Sequence, residues 1–295
     1  RHVIDLDAVF DPAVAVSVDA NGLSANGASL SDAVGNAATL DHAAASAASP
    51  YGVDTIAPTV SQIGLSDAQG MQAGLLNTGD TVTVTVGLSE ATVVDTTAGA
   101  PSLMVDVGED SVVATFAGLS AARTEAYFTL SIGAGQLDVD GISIAANALR
   151  LGDAQWTDMA GNPLTLSSAA VAPNATYLVD AIGPAAPTRP DLASADDTGV
   201  SNTDNISART AGLSWSGVAE AKSQVIVFDD LNGDGEFDAN EELTRVQASD
   251  VGAWAADVDL SEGAHAIHAI AIDEAGNLGV AASAAAEVLI DNTAP

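Results

Sequence analysis

The chain has 295 residues, 7 Lys and Arg against 40 Asp and Glu, no cysteine, and a formal net charge of −33. This charge repels phosphate backbones and anionic headgroups, which argues against nucleic acid as a partner and for cations. The lack of cysteine excludes disulfide scaffolds, thiolate metal sites and cysteine catalysis. Since no run of about 18 apolar residues occurs, direct membrane insertion is not expected either.

The N-terminal segment, residues 1–57, is the first predicted unit. It is shorter than a complete β-sandwich, which needs about 100 residues, so we expect it to hold only the C-terminal part of a module. Two explanations stay open. The segment is a boundary left by cleavage of a longer protein, or its exposed strand edges are completed by another copy in a filament.

Period-two hydrophobicity dominates the rest of the chain. Apolar and polar residues alternate in five segments, and turn sequences such as "NTGD" and "NGDG" separate them. The alanine-rich segment 41–49 is compatible with a helix, but alanine between turn residues is weak evidence. The pattern therefore predicts an all-β chain of sandwiches, with strands over residues 80–88, 101–108, 126–132, 223–229 and 265–273.

A repeat divides the chain into modules. The motif Asp-x-x-Gly-Asn recurs in "SDAVGN", "TDMAGN" and "IDEAGN", each followed at some distance by "VDTIAP", "VDAIGP" or "IDNTAP". A fixed order of motifs at domain-sized intervals is typical of tandem modules. We predict a linear array of an incomplete module at residues 1–57, a module at 58–182 and another at 183–295.

The strongest chemical signal is the sequence "DLNGDGEFDANE" in the last module. It matches the calcium-loop template D-x-[DN]-x-[DN]-G-x5-E at every position. The ligands would all be oxygen atoms, which selects a hard cation and favours Ca2+ over Mg2+. Strand-like sequences on both sides place the loop at the tip of a hairpin rather than between helices. The predicted ligands are Asp230, Asn232, Asp234, Glu236 (through its carbonyl), Asp238 and Glu241.

Two alternatives remain for this loop. Glu242 could replace Glu241 as the closing ligand, because the two residues are adjacent. The whole segment could also be an acidic Asn-Gly and Asp-Gly turn that serves only solubility.

The order of these motifs resembles that of bacterial Ig-like repeats strung in tandem through giant Gram-negative surface adhesins. Residues 59–180 resemble one repeat type through "GDTVTVTVGLSEA", "LDVDGISI" and "DMAGNPL", residues 185–295 resemble a related type, and residues 19–55 are similar to the last third of the first. The resemblance implies Ig-like sandwiches in an extracellular stalk on the bacterial cell surface. It also implies type I (RTX) secretion, and calcium at the junctions between neighbouring modules.

The resemblance also suggests junction ligands. They are the aspartates before each proline-limited linker, the aspartates of the three repeated turns, and a glutamate in "LSEA". Asn36, Asn162 and Asn277 close the same turns, and Asp196 and Asp197 could join the junction sites. For each residue alone, the alternative is that Asp and Asn simply favour turns. The proposed junction ligands are Asp54, Asp180, Asp291, Asp32, Asp158, Asp273 and Glu90.

Catalytic motifs are missing from the sequence, so we do not expect an enzyme. The chain has no G-x-S-x-G elbow, no phosphate-binding G-x-x-x-x-G-K-[ST] loop and no H-E-x-x-H motif. Trp156, Trp215 and Trp254 could stack on sugars, but we predict that they fill sandwich cores. A calcium-braced stalk or fibre segment is the favoured function. A carbohydrate- or surface-binding module and a strand-complemented filament subunit are the alternatives.

Overall fold

The computed structural model describes residues 17–46 and 54–293. These residues form β-strands and turns, and none of them lies in a helix that could cross a membrane. In the N-terminal segment, strands β1 (Ser17–Val18) and β2 (Ala45–Ser46) pair antiparallel. The described part of the alanine-rich segment is therefore not helical. The remainder of the prediction for the N-terminal segment, at residues 1–16 and 47–53, lies outside the described residues.

The second module carries eleven strands in three sheets. Its largest sheet has the order β11-β7-β8-β9-β5-β3, and two smaller sheets, β10-β13-β4 and β12-β6, complete the sandwich. The strands predicted near residues 80–88, 101–108 and 126–132 are present as β5, β7 and β9. The elements are β3 (Val60–Gln69), β4 (Leu75–Leu76), β5 (Thr81–Leu88), β6 (Thr92–Asp95), β7 (Ser102–Val107), β8 (Asp110–Leu119), β9 (Glu125–Ser131), β10 (Leu137–Asp138), β11 (Leu149–Arg150), β12 (Gln155–Asp158) and β13 (Leu178–Asp180).

The core of this module is formed by side chains that alternate between buried and exposed along the strands. Along β5 the valines point inward and are fully buried while the threonines between them are partly exposed. Phe128 on β9 packs edge-to-face on Phe116 with ring centroids 5.6 Å apart. Trp156 closes the core from the small sheet and donates its indole hydrogen bond to the Thr92 hydroxyl at 2.8 Å.

The third module is a two-sheet sandwich with its own core. A sheet of order β14-β16-β19 packs against one of order β15-β21-β20-β17-β18. The strands predicted near 223–229 and 265–273 are present as β17 and β20. The elements are β14 (Asp191–Leu192), β15 (Ile206–Ser207), β16 (Leu213–Val218), β17 (Gln224–Asp229), β18 (Glu242–Gln247), β19 (Ala253–Val258), β20 (Gly263–Ile272) and β21 (Ala286–Ile290).

The tryptophans occupy cores, as predicted. Trp156, Trp215 and Trp254 are 1%, 1% and 4% exposed. None of the three can serve as an open platform for stacking on a sugar ring, because a platform needs an accessible ring face.

Strand register shows that the hairpin loop after β17 and the turn after β20 lie at opposite ends of the third module. In β17, Gln224 pairs with Ile272 and Asp229 pairs with Ile267, so the loop after β17 lies far from the turn after β20. The end of β21 also lies away from that turn, because Gly263 pairs with Ile290. The turn after β20 faces the second module, and the predicted calcium loop lies toward the opposite end.

Candidate metal sites at the junctions and in a hairpin loop

The repeated Asp-x-x-Gly-Asn segments are closed turns of one design. In the second module, Asp158 Oδ1 accepts hydrogen bonds from the backbone N–H of Ala160 and Asn162, and its Oδ2 accepts the Asn162 side-chain amide at 2.7 Å. The N–H of Asp158 donates to the carbonyl of Asn162 at 3.0 Å. The aspartate thus locks the turn and is only 2% exposed.

The asparagine of this turn also bonds the preceding module end. Asn162 Nδ2 donates to the backbone carbonyl of Asp54 at 3.1 Å. Asp54 itself forms an Asx turn, because its Oδ1 accepts the N–H of Ile56 at 3.0 Å. One asparagine side chain therefore connects the turn to the aspartate that precedes the linker.

The same arrangement recurs one module later. Asp273 Oδ1 accepts the N–H of Asn277 at 2.8 Å, and Asn277 Nδ2 donates both to Asp273 Oδ2 and to the carbonyl of Asp180. Asp180 Oδ1 accepts the N–H of Ile182 at 3.2 Å. The two junctions therefore share both their sequence motifs and their hydrogen-bond pattern.

Three carboxylates meet at the first junction. Oxygens of Asp54, Glu90 and Asp158 all lie within 4.8 Å of one another. Burial raises the pKa of Glu90, and the negative charges of Asp54 and Asp158 raise it further. Although burial opposes it, the hydrogen bonds from Asn162 and neighbouring N–H groups hold the pKa of Asp158 below its usual value. The cluster offers a cation three oxygens from separate parts of the chain.

The second junction brings Glu220 near Asp273 and Asp180 in a more widely spaced set, and sequence reasoning predicted only the two aspartates. Burial raises the pKa of Glu220, and the charges of Asp273 and Asp180 add to the effect, in the pattern seen for Glu90. Among the described residues, only the first trio gathers within 4.8 Å. Glu220 was missed because the comparison of repeats relied on the turn motif. The available signal was "VAEA" at residues 218–221, which matches "LSEA" at 88–91.

Two of the predicted junction ligands stand apart from these clusters. Asp32 forms the same turn with Asn36, with a 2.7 Å side-chain bond, and Asp291 forms an Asx turn with Thr293. Neither belongs to a group of three metal-ligating side chains in the described part of the chain.

Asp196 and Asp197 do not join the junction with the second module. Asp196 is bonded to Arg209 and to the N–H of Ser214, and Asp197 accepts the N–H of Asn205 at 3.0 Å. These bonds hold both residues near β15, which pairs with the far end of β21. Their carboxylates are used within the third module, at the end away from the second module.

The predicted calcium loop is present at the tip of the β17–β18 hairpin. Asp230 accepts the N–H of Gly233 on one oxygen at 2.7 Å and that of Gly235 on the other at 2.8 Å. Gly235 has φ of +73°, the conformation that the template glycine provides. The Asn232 amide donates to both Asp234 and Asp238, at 2.9 and 3.3 Å. These side chains therefore converge on one space.

The side chain of Glu241, rather than that of Glu242, points into the loop. Glu241 is 3% exposed, and its two carboxylate oxygens accept the N–H groups of Leu231 and Asp238. Glu242 points elsewhere and makes a two-pronged ion pair with Arg245, with both N–O distances 2.7 Å. Glu236 is exposed, and its N–H donates to Asp234 at 2.8 Å.

The junction carboxylates predict a distinctive pH dependence in metal-free buffer. The folded protein keeps the proton of Glu90 at pH values above 4.5 where the unfolded chain has lost it, so stability falls as pH rises through the raised pKa. We expect Glu90→Gln to remove this fall. The measurement is the change in thermal midpoint from pH 4 to pH 7, compared between wild type and the variant. Glu262→Gln, on an exposed loop, is the control. Equal pH profiles for wild type and Glu90→Gln would contradict the prediction.

Comparisons with known proteins agree with the all-β fold. Residues 184–292 match the family model of a bacterial Ig-like domain. A comparison with curated proteins gives no match. The described residues 60–290 form two β-sandwiches in tandem, and the second of them carries the match to the Ig-like domain model.

The solved structures that the structural comparison finds share little sequence with this chain, and their TM-scores are below 0.5. Three consecutive titin domains are 7% identical (TM-score 0.36), over 79% of this chain and 66% of theirs. Fibronectin domains of chicken CNTN1 are 11% identical (TM-score 0.33), over 79% of this chain and 67% of theirs. A tetra-tandem repeat from the extending region of a large adhesion protein is 16% identical (TM-score 0.24), over 80% of this chain and half of that one.

Proposed function

We propose that this chain is a structural extension segment of a bacterial surface adhesin or extracellular fibre, braced by calcium in the hairpin loop and at its module junctions. The observation that carries the proposal is the repeated junction. At both junctions an asparagine bonds the carbonyl of the preceding aspartate, beside a glutamate whose pKa is raised by burial and then by two aspartates. A repeated joint is what a stalk needs, because each module must hold its neighbour at a fixed angle.

The donor atoms fit calcium. Every candidate ligand in the loop and at the junctions is an oxygen atom, and several are carboxylates. Ca2+ accepts six to eight such oxygens in flexible geometry, and extracellular modules bind it with Kd values of about 10⁻⁴–10⁻³ M. This range suits a secreted protein on the cell surface, and type I secretion is the route that the sequence resemblance suggests.

Calcium would act on the junction through charge. Asp54 belongs to the linker side of the first junction, while Glu90 and Asp158 belong to the second module. Without a cation, like charges at this distance repel and oppose the closed joint. A divalent cation would convert the repulsion into attraction and so favour one angle between neighbours.

Calorimetric titration of calcium into the metal-free chain tests the proposal. We expect Glu241→Gln to weaken binding at the loop at least tenfold, which corresponds to about 1.4 kcal/mol. Glu90→Gln and Glu220→Gln should each weaken a different site. Glu242→Gln is the matched control, because its side chain is paired with Arg245 rather than with the loop. An absence of heat at millimolar calcium would overturn the metal part of the proposal.

A further inference from the structure

The joint between the second and third modules contains direct packing contacts in addition to its carboxylates. Asn77, at the end of β4, donates its side-chain amide to the carbonyl of Ala275 at 2.5 Å. Ala275 lies inside the repeated turn of the third module and is fully buried. The Gln72 amide packs against Gly276 in the same turn. A loop of the second module therefore encloses the turn of the third.

The linker is fixed to both modules. Ala181 exchanges backbone hydrogen bonds with Gly135 and Gln136 of the second module, each 2.8 Å long. Thr188 binds Val218 of the third module through its N–H and its hydroxyl, again at 2.8 Å. The few residues between these anchor points include the buried prolines Pro184 and Pro187, whose fixed φ angles stiffen the segment.

Gly183 marks a close approach between the linker and the third module. A Cβ atom built on it would overlap the backbone carbonyl oxygen of Leu278 in the third module. Its φ is not in the left-handed region, and a residue before proline is restricted to extended conformations that alanine also adopts. Alanine would therefore be acceptable for the local backbone and would clash only across the joint.

From these contacts we propose that the joint between the second and third modules is an interlock whose angle is set by direct packing and persists without a bound cation. Asn77 and Asn277 bond across it in opposite directions, the first to Ala275 and the second to Asp180. Gly183 provides the space that lets the surfaces meet. If calcium binds at this joint, it adds stability to an angle that packing already defines. The inference is independent of the proposed calcium sites.

Distance measurements between spin labels test the interlock. The chain has no cysteine, so Val113→Cys and Val251→Cys, at exposed positions of the two modules, give a uniquely labelled pair. In EDTA we expect a narrow distance distribution that calcium does not move. Gly183→Ala should broaden it and shift its maximum, while Gly64→Ala, at an open position on β3, should leave it unchanged.

A second pair of variants tests the hydrogen bond. Asn77→Ala should broaden the distribution, and Asn202→Ala, at an exposed loop position, should not. Fluorescence of the buried tryptophans confirms that each variant is folded. A broad distribution for the wild-type chain in EDTA, or an unchanged one for folded Gly183→Ala, would overturn the interlock. Failure of the calcium proposal would appear separately, as absence of binding heat with a narrow distribution retained.

Discussion

Removal of calcium is expected to lower the thermal unfolding midpoints of the second and third modules by roughly 10 °C for each site that loses its ion. A ligand at a hundredfold excess over its Kd stabilises the folded state by about 2.7 kcal/mol, and for a domain of this size about 1 kcal/mol corresponds to several degrees. The second module would lose the ion at Asp54, Glu90 and Asp158, and the third would lose the ion in its hairpin loop. Differential scanning calorimetry in calcium and in EDTA measures both changes.

The variant Glu220→Gln gives this prediction a sign test. In the wild-type chain the pKa of Glu220 is raised by burial and then by Asp273 and Asp180. The charged form of this side chain is therefore unfavourable in the metal-free fold. Removing that charge should raise the midpoint in EDTA and lower it in calcium, because the same oxygen both repels its neighbours and binds the ion. A change of the same sign in both buffers would show that Glu220 has no part in a cation site.

Ionic strength is the necessary control for the calcium experiment. Monovalent salt also screens the charges of a protein with a net charge of −33, and screening alone stabilises a self-repelling chain. The comparison is therefore made at equal ionic strength, with sodium chloride replacing the calcium salt. If the midpoints in sodium and in calcium agree, screening explains the stabilisation and specific sites do not.

Strand β5 was predictable because one of its faces is buried and the other is exposed. Alternation in β5 follows from inward valines and outward threonines, and such a pattern is visible without a structure. Strand β3 was not predicted, because its pairing with β5 shifts register near Ser61 and again near Ser66. Each shift inserts an extra residue and interrupts the period of two on which the sequence prediction depends.

The candidate sites also differ in how far the sequence predicts them, because one is local and the other is built from distant segments. The loop from Asp230 to Glu241 is local, so a template of fixed spacing identified its residues. The sequence left the choice between Glu241 and Glu242 open, and the pairing of Glu242 with Arg245, which favours Glu241, is visible only in the structure. Glu220 lies near Asp180 and Asp273 only because three distant segments meet at the joint, so no template of fixed spacing finds it, and the match of "VAEA" to "LSEA" is its one sequence signal.

The last prediction concerns the independence of the two complete modules. Phe128 is fully buried in the core of the second module and Phe228 in a cluster of the third, and the two clusters share no residue. Truncation of a buried phenylalanine to alanine costs about 3–5 kcal/mol, a large share of the roughly 5–15 kcal/mol that stabilises a domain. We expect Phe128→Ala to lower one calorimetric transition by roughly 10–20 °C, and Phe228→Ala to lower the other.

Tryptophan fluorescence assigns the transitions and measures the coupling between modules. Trp156 reports on the second module, while Trp215 and Trp254 report on the third. With Phe128→Ala, the third module should remain folded after the second has melted, but it then loses the bonds from Asn77 and to Asp180. Two net hydrogen bonds contribute about 1–3 kcal/mol, so its midpoint should fall by roughly 4–12 °C. If the signals of all three tryptophans change in one transition, the two sandwiches form a single cooperative unit. If the unfolding midpoint of the third module does not shift, the interlock orients the modules without stabilising them.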